Sequence, residues 1–252
     1  MRKFFIAGNW KMNKGLESAM SLSNKINEYA ENESKIDIGV FPPYIYLQGM
    51  KNTFKNIIIG SQNIFFKQEG AYTGEISPKM LDSIDVEWTI IGHSERRNIF
   101  NESEEWVNKK VKFALNNHMK AIVCIGEKLE ERKKGYTLEK ISMQVKNLFY
   151  EISKEKAKNI TLAYEPIWAI GTGETASPED ADEVHEKIRE VVSNIYDSDF
   201  AEKLRIQYGG SVKPHNAEEL LKKDNIDGAL IGGASLEADS FLKICDIAKK
   251  LQ

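Results

Sequence analysis

The stretch Ala163-Tyr164-Glu165-Pro166-Ile167-Trp168 puts a carboxylate where an apolar run gives way to a glycine-bearing loop. Glu165 in that place is either a solvated surface charge or a general base. Its apolar flank of Pro166, Ile167, Trp168 and Ile170 favours the base. Withdrawing water from a carboxylate raises its proton affinity, which abstraction of a weakly acidic carbon proton requires. Ile90-Ile91-Gly92-His93-Ser94-Glu95-Arg96-Arg97 supplies an imidazole at the end of another apolar run. His93 is either structural or, at a helix start whose dipole disfavours the imidazolium, a neutral hydrogen-bond donor. Glu95, Arg96 and Arg97 fit a structural ion network equally well. In Gly8-Asn9-Trp10-Lys11-Met12-Asn13, Lys11 can hold an anionic oxygen while Asn9 orients it, with an ordinary surface lysine as the alternative.

Two late runs end in paired glycines, Tyr208-Gly209-Gly210-Ser211 and Ile231-Gly232-Gly233-Ala234. They are tight turns, or places where a phosphate approaches backbone N–H groups closely at helix starts. The run from Gly171 to Ala176 matches the G-x-G-x-x-A pattern of a dinucleotide site only formally, because Glu165 to Ile170 separate it from the preceding strand. It is better understood as the end of a lid whose other end is Pro166. His118, His185 and His215 lie in separate contexts, and Cys124 and Cys245 have no metal-ligand spacing, so neither a metal nor a cofactor is expected.

Eight apolar, β-branched runs supply the elements that must position these groups: Phe4–Ala7, Asp37–Phe41, Ile57–Ser61, Trp88–Ile91, Ala121–Ile125, Thr161–Tyr164, Arg205–Tyr208 and Gly228–Ile231. Helical periodicity fills the intervals. Leu138, Ile141, Val145, Leu148, Phe149 and Ile152 share one helix face, and Ala181, Val184, Ile188, Val191 and Ile195 another, the latter introduced by Ser177 as N-cap and Pro178. Alternating strands and helices make an α/β fold with a parallel sheet. An open doubly wound sheet and a closed barrel both accommodate eight such units. Polar clusters at the ends of runs one, four, six, seven and eight favour the barrel, whose loops gather at one mouth.

At 252 residues and 41% hydrophobic composition the chain suits one domain spanning 1–252, with no low-complexity linker. The formal net charge of −3 argues against a nucleic-acid or membrane-surface binder. The apolar run after Met1-Arg2-Lys3 stops at Gly8-Asn9, short of a secretory core, and the cysteines suit a reducing compartment; a cytoplasmic protein is expected.

In order, AGNWKMN, IIGHSERR, VCIGE, AYEPIWAIGTG, YGGSV and IGGASL resemble the signatures of the triosephosphate isomerase family, from residue 7 to residue 236. The resemblance implies a (β/α)8 TIM barrel that interconverts dihydroxyacetone phosphate and glyceraldehyde 3-phosphate without a cofactor, in glycolysis and gluconeogenesis. It implies that Glu165 is the base, that His93 is the neutral electrophile, and that Lys11 and Asn9 assist the substrate oxygen. It further implies that the amides of Gly171, Ser211, Gly232 and Gly233 hold phosphate, and that a lid over Pro166 to Ala176 brings Ile170 and Leu230 against Glu165. The long segment Gln62–Ser77, which could otherwise fold back on its own barrel, resembles a dimer loop whose Thr73 enters a neighbour's pocket beside Asn9, Lys11 and Glu95. A homodimer is therefore expected. A barrel that binds a phosphorylated ligand without turnover, a phosphoribosyl-binding barrel and a dinucleotide-dependent oxidoreductase are the competing functions.

Overall fold

Short strands with β-branched and apolar side chains on both faces pair best when both faces are covered, and here they pair in parallel throughout. The computed structural model describes residues 2–169 and 176–252. The strands are β1 (Phe5–Asn9), β2 (Asp37–Phe41), β3 (Ile58–Ser61), β4 (Trp88–Ile91), β5 (Lys120–Ile125), β6 (Ile160–Tyr164), β7 (Ile206–Tyr208) and β8 (Gly228–Ile231). All start within one residue of the positions expected from the apolar pattern. They pair in chain order, and β8 returns to β1 with Phe5 opposite Gly228, so the sheet is a closed barrel rather than an open doubly wound one.

The seam between β8 and β1 requires a glycine. Gly228 adopts φ +135, and a Cβ there would lie 2.1 Å from the Phe5 carbonyl oxygen. Alternate strand residues point to opposite faces. Phe5, Ala7, Phe41, Trp88, Ile90 and Ile122, with Cys124, Ala163 and Leu230, form one apolar cluster inside the barrel. The opposite set packs outward in a much larger core against the helices.

The two helices read from periodicity run Thr137–Phe149 and Pro178–Ile195. Ile141, Val145 and Leu148 are buried on the first, and Ala181, Val184, Ile188 and Val191 on the second. The Ser177 hydroxyl accepts from the Asp180 N–H at 3.0 Å, and Pro178 occupies the first helical turn where its missing N–H costs nothing. Among the described residues no helix is long and apolar enough to cross a membrane.

Arg189 on the second helix ties that helix to the ends of the last two strands. Its guanidinium meets Asp227 at 2.5 Å and donates to the carbonyls of Ala201, Leu204 and Asn225. Asp227 also accepts from the Ile206 N–H at 2.9 Å and pairs with Arg2 at 2.5 Å. Removing one partner of such a buried pair costs about 3–5 kcal/mol, because the other charge is left dry and uncompensated.

One turn earlier, His185 is fully buried, its Nδ1 at 3.1 Å from the Asn225 carbonyl and its ring edge-on to Tyr164. Burial lowers its pKa from 6.5 to about 3, since neither the apolar surroundings nor nearby Arg189 accommodates an imidazolium. In the unfolded chain this imidazole binds a proton that the folded chain refuses. Its contribution is complete above pH 6.5 and is lost progressively as pH falls from 6.5 towards 3. Urea unfolding across that interval is expected to show a shallower loss of stability for His185→Gln than for the wild type; equal slopes would contradict the assignment.

Candidate active site

Strand periodicity continues to the carboxyl mouth of the barrel. Beyond Ala7 the next inward position is Asn9, beyond Cys124 it is Gly126, beyond Ala163 it is Glu165, and beyond Leu230 it is Gly232. Asn9, Lys11, His93 and Glu165 line one cavity of about 360 Å³ together with Ser211, Gly232 and Gly233. The expected catalytic and phosphate-binding residues all border it except Gly171, which lies outside the described residues, as do Ile170 and the lid segment up to Thr175, while Thr73 and Glu95 do not line it.

Glu165 is buried, and its backbone N–H donates to the Ile125 carbonyl at 2.7 Å, extending the β5–β6 ladder by one residue. Its side chain is held on both oxygens: Oε1 meets His93 Nε2 at 2.9 Å, and Oε2 accepts from the Ser94 N–H at 2.9 Å. Gly126 makes this backing possible. A Cβ on Gly126 would lie 1.8 Å from the Glu165 carbonyl oxygen, a contact no side chain tolerates.

His93 is the N-cap of the short helix Ser94–Ile99, and its Nδ1 accepts from the Glu95 N–H at 3.2 Å. That contact requires an unprotonated Nδ1, and the contact with Glu165 requires a proton on Nε2. The tautomer that satisfies both is neutral and aims Nε2–H into the cavity. Burial pulls the imidazole pKa down, but the neighbouring carboxylate outweighs it and the net direction is upward.

The matching direction for Glu165 corrects the expectation from its apolar flank. Burial does raise its proton affinity, but the imidazole, the Ser94 N–H and the Lys11 ammonium together lower it, so the carboxylate is ionised at neutral pH. The sequence shows the apolar neighbours because they adjoin Glu165, whereas the polar groups that reverse the sign come from other strands.

Lys11 sits at φ +50, with its N–H donating to Asn9 Oδ1 at 3.0 Å. Gln62 donates through Nε2 to the carbonyls of Lys11 and Phe41, each at 2.8 Å, and so braces the turn from β3. The Lys11 ammonium pairs with Glu95 at 2.8 Å. The charges of the SERR run thus separate in space. Glu95 belongs to the cavity's cation, while Arg96 bonds Glu102, and Arg97 bonds Glu104 at 2.8 Å and the Cys124 carbonyl at 3.0 Å as structural anchors.

Of the two glycine pairs, only the one after β8 leads directly into a helical turn, Gly233–Leu236, in which Ser235 closes back on the Gly232 carbonyl at 2.9 Å through its N–H. The pair after β7 does not begin a helix as expected. Pro214 interrupts the backbone, Asn216 accepts from the Lys213 N–H at 2.8 Å and donates to the Ser211 carbonyl at 3.0 Å, and the helix waits until Ala217–Leu221. Ser211 still faces the cavity.

Sequence reasoning missed the supports. Ser94 acts through its backbone N–H, Gly126 through its missing side chain and Gln62 through a side-chain amide aimed at distant carbonyls, and no local pattern marks any of them. Glu127, fully buried, accepts from the Trp168 indole at 2.8 Å and the Tyr164 hydroxyl at 3.1 Å, and burial pushes its pKa up. A glutamate after a glycine gives no sign of that burial. The VCIGE run carried a signal only as a motif.

A parallel (β/α)8 barrel with a buried carboxylate–imidazole pair, a paired lysine and glycine turns at its carboxyl mouth defines a barrel enzyme of phosphorylated small molecules by class. Comparison with known proteins narrows the class. The sequence profile of triosephosphate isomerase matches residues 4–248. The chain is 52% identical over 246 residues to the triosephosphate isomerase of Mycoplasma capricolum, covering 96% of this chain and 97% of the relative. It is 48% identical to that of Fusobacterium nucleatum, covering 97% and 98%, and 49% identical to that of Clostridium botulinum, covering 97% and 99%. The chain belongs to the triosephosphate isomerase family.

Because Gly126 backs the Glu165 carbonyl, Gly126→Ala is expected to displace the carboxylate and lower kcat by about 10²-fold or more, the usual cost of misplacing a reacting group by an ångström. A variant with wild-type kcat would show that the backing contact does not position Glu165.

Proposed function

We propose that the protein interconverts dihydroxyacetone phosphate and D-glyceraldehyde 3-phosphate by proton transfer through an enediolate, with Glu165 as base and His93, Lys11 and Asn9 stabilising the oxygen. The observation that carries this is the contact of Glu165 with the Nε2–H of a neutral His93, 2.9 Å apart in a buried cavity beside a cation. When the substrate enters, its carbonyl oxygen replaces Glu165 as acceptor of the His93 Nε2–H. The freed carboxylate then removes the proton from C1, and negative charge grows on the oxygen at C2. His93 and the Lys11 ammonium, already in place, stabilise that charge without reorganising solvent. A proton then passes from the hydroxyl on C1 to the oxygen on C2, and return of the carbon proton from Glu165 to C2 leaves the C1 aldehyde and the C2 hydroxyl of the aldose.

The phosphate is held by the backbone N–H groups of Ser211, Gly232 and Gly233, all of which border the same cavity. Glycine lets the dianion approach the chain, and fixed N–H dipoles bind it in a chain whose overall charge is negative. Exclusion of water over this site protects an enediolate that would otherwise expel phosphate. The reaction needs no cofactor, and its place is in glycolysis and gluconeogenesis in the cytoplasm.

The assembly is a homodimer through the loop Gln62–Ser77. Within it Phe65 stacks on Phe66 with ring centres 4.4 Å apart and packs at a tilt against Tyr72 at 4.6 Å, and the Phe65 N–H donates to the Ile76 carbonyl at 2.8 Å, so the loop is held together as a shaped unit. Met12, Ile45, Tyr72 and Ile99 are exposed, and each follows one of the adjacent strands β1 to β4. Large apolar groups collected on one side of a surface favour a protein partner.

Glu165→Gln should lower kcat by at least about 10²–10⁴-fold with a smaller change in substrate binding, read by coupling glyceraldehyde 3-phosphate conversion to NADH oxidation; a variant retaining near-wild-type turnover would remove Glu165 as base. Tight binding without conversion by the wild type would favour a silent phosphate-binding barrel. Sedimentation at micromolar concentration should give a dimer for the wild type and a monomer of low activity for Thr73→Arg, whereas a monomeric wild type would overturn the dimer.

A further inference from the structure

A second and larger cavity, about 780 Å³, opens at the opposite end of the barrel. The first residues of five consecutive strands border it: Asp37, Ile58, Trp88, Lys120 and Ile160. Packed side chains of the barrel interior, among them Phe5, Ile90 and Ile122, separate it from the mouth. Its volume falls in the range of about 300–1,000 Å³ typical of small-molecule sites.

The charge of this cavity runs against that of the chain. Six basic side chains line it, Lys51, Lys120, Lys154, Lys158, Lys203 and Arg205, against only Asp37, Glu87 and Asp199, in a protein of formal net charge −3. Arg205 is neutralised by Asp37 at 2.6 Å and Lys203 by Asp199 at 2.7 Å. Lys154 and Lys158 pair with Asp197 and Glu155, which do not border the cavity. Lys51 and Lys120 have no acidic partner within ion-pair distance among the described residues, and the Lys120 ammonium rests over the Trp88 ring at 5.7 Å. Between the cations lies an apolar floor of Ile58, Trp88, Ile160 and Leu204.

Concave surroundings of low dielectric focus the field of such cations, and unpaired ammonium groups bind phosphate or carboxylate as point charges without demanding one geometry. We propose that this cavity binds a small organic polyanion, its charged groups held by Lys51 and Lys120 and its planar or apolar body seated on Ile58, Trp88 and Leu204. Binding here leaves the mouth free. The Glu87 carboxylate, which has no cationic partner within ion-pair distance among the described residues, is the one lining charge that opposes such a ligand.

Titration calorimetry on the full chain with ATP, inorganic tripolyphosphate and adenosine tests the site. ATP is expected to bind saturably in the presence of excess dihydroxyacetone phosphate, tripolyphosphate more weakly and adenosine undetectably. Lys51→Glu combined with Lys120→Glu should weaken ATP by at least about tenfold, the direction like-charge juxtaposition dictates, at unchanged isomerase turnover and Tm. Glu87→Gln should tighten it, which keeps the test decisive where the double variant folds poorly. No ATP binding at millimolar concentration, binding abolished by dihydroxyacetone phosphate, equal affinity for tripolyphosphate, or unaltered binding in the double variant and in Glu87→Gln would each overturn the proposal.

Discussion

Parallel closure of the strands is the constraint on which the site depends. Eight parallel strands must deliver all their carboxyl ends to one rim, and the alternation of side chains sends every second residue inward. Phe5 and Ala7 fill the barrel and Asn9 emerges at its mouth; Ala163 fills it and Glu165 emerges. A packed interior and a polar mouth are therefore consecutive stretches of the same inward-facing rows. Closure also demands close approaches that only glycine permits, at Gly228 where β8 meets β1 and at Gly126 behind the Glu165 carbonyl. Loss of side chains at those two positions is a condition for the geometry of the others.

Within that frame the site is an electrostatic balance rather than a single perturbed group. Burial alone would protonate Glu165 and deprotonate His93. Each group's neighbour opposes that tendency, and the Glu95 N–H, by donating to His93 Nδ1, leaves the proton of the neutral imidazole on Nε2, while the Ser94 N–H holds the Glu165 carboxylate. The same helix start supplies an acceptor for Lys11 through the Glu95 side chain. One turn of helix thus orients an imidazole, a carboxylate and an ammonium, and strand β3 holds the lysine's strained backbone through Gln62.

The two ends of the barrel meet different demands. At the mouth, glycine turns and four titratable side chains, Lys11, His93, Glu165 and Lys213, border a small cavity. At the base, a buried Arg189–Asp227 pair and a neutral His185 fasten helix to strand ends, and basic side chains gather around the starts of the strands. The polar anchoring of helices and the polar groups of the mouth thus lie in separate layers, joined by an apolar interior whose burial stabilises the barrel.

Much of this architecture was legible in the residues. Strand starts, the Ser177 cap and the buried faces of two helices follow from patterns only a few residues long, because hydrogen bonding and hydrophobic burial repeat with the local period. Glu165, His93, Lys11 and Asn9 stood out for the same reason, since each ends an apolar run. Other features depended on contacts between residues far apart in the chain. That the sheet closes, that Glu165 is pushed down rather than up, that Glu95 serves the cavity while Arg96 and Arg97 do not, and that Pro214 and Asn216 delay a helix were all decided by tertiary structure. The physical reason is one of range: the sequence determines which groups are present and which way each local segment turns, while the sign of an electrostatic interaction in a dry interior is set by whichever groups the fold brings within a few ångströms.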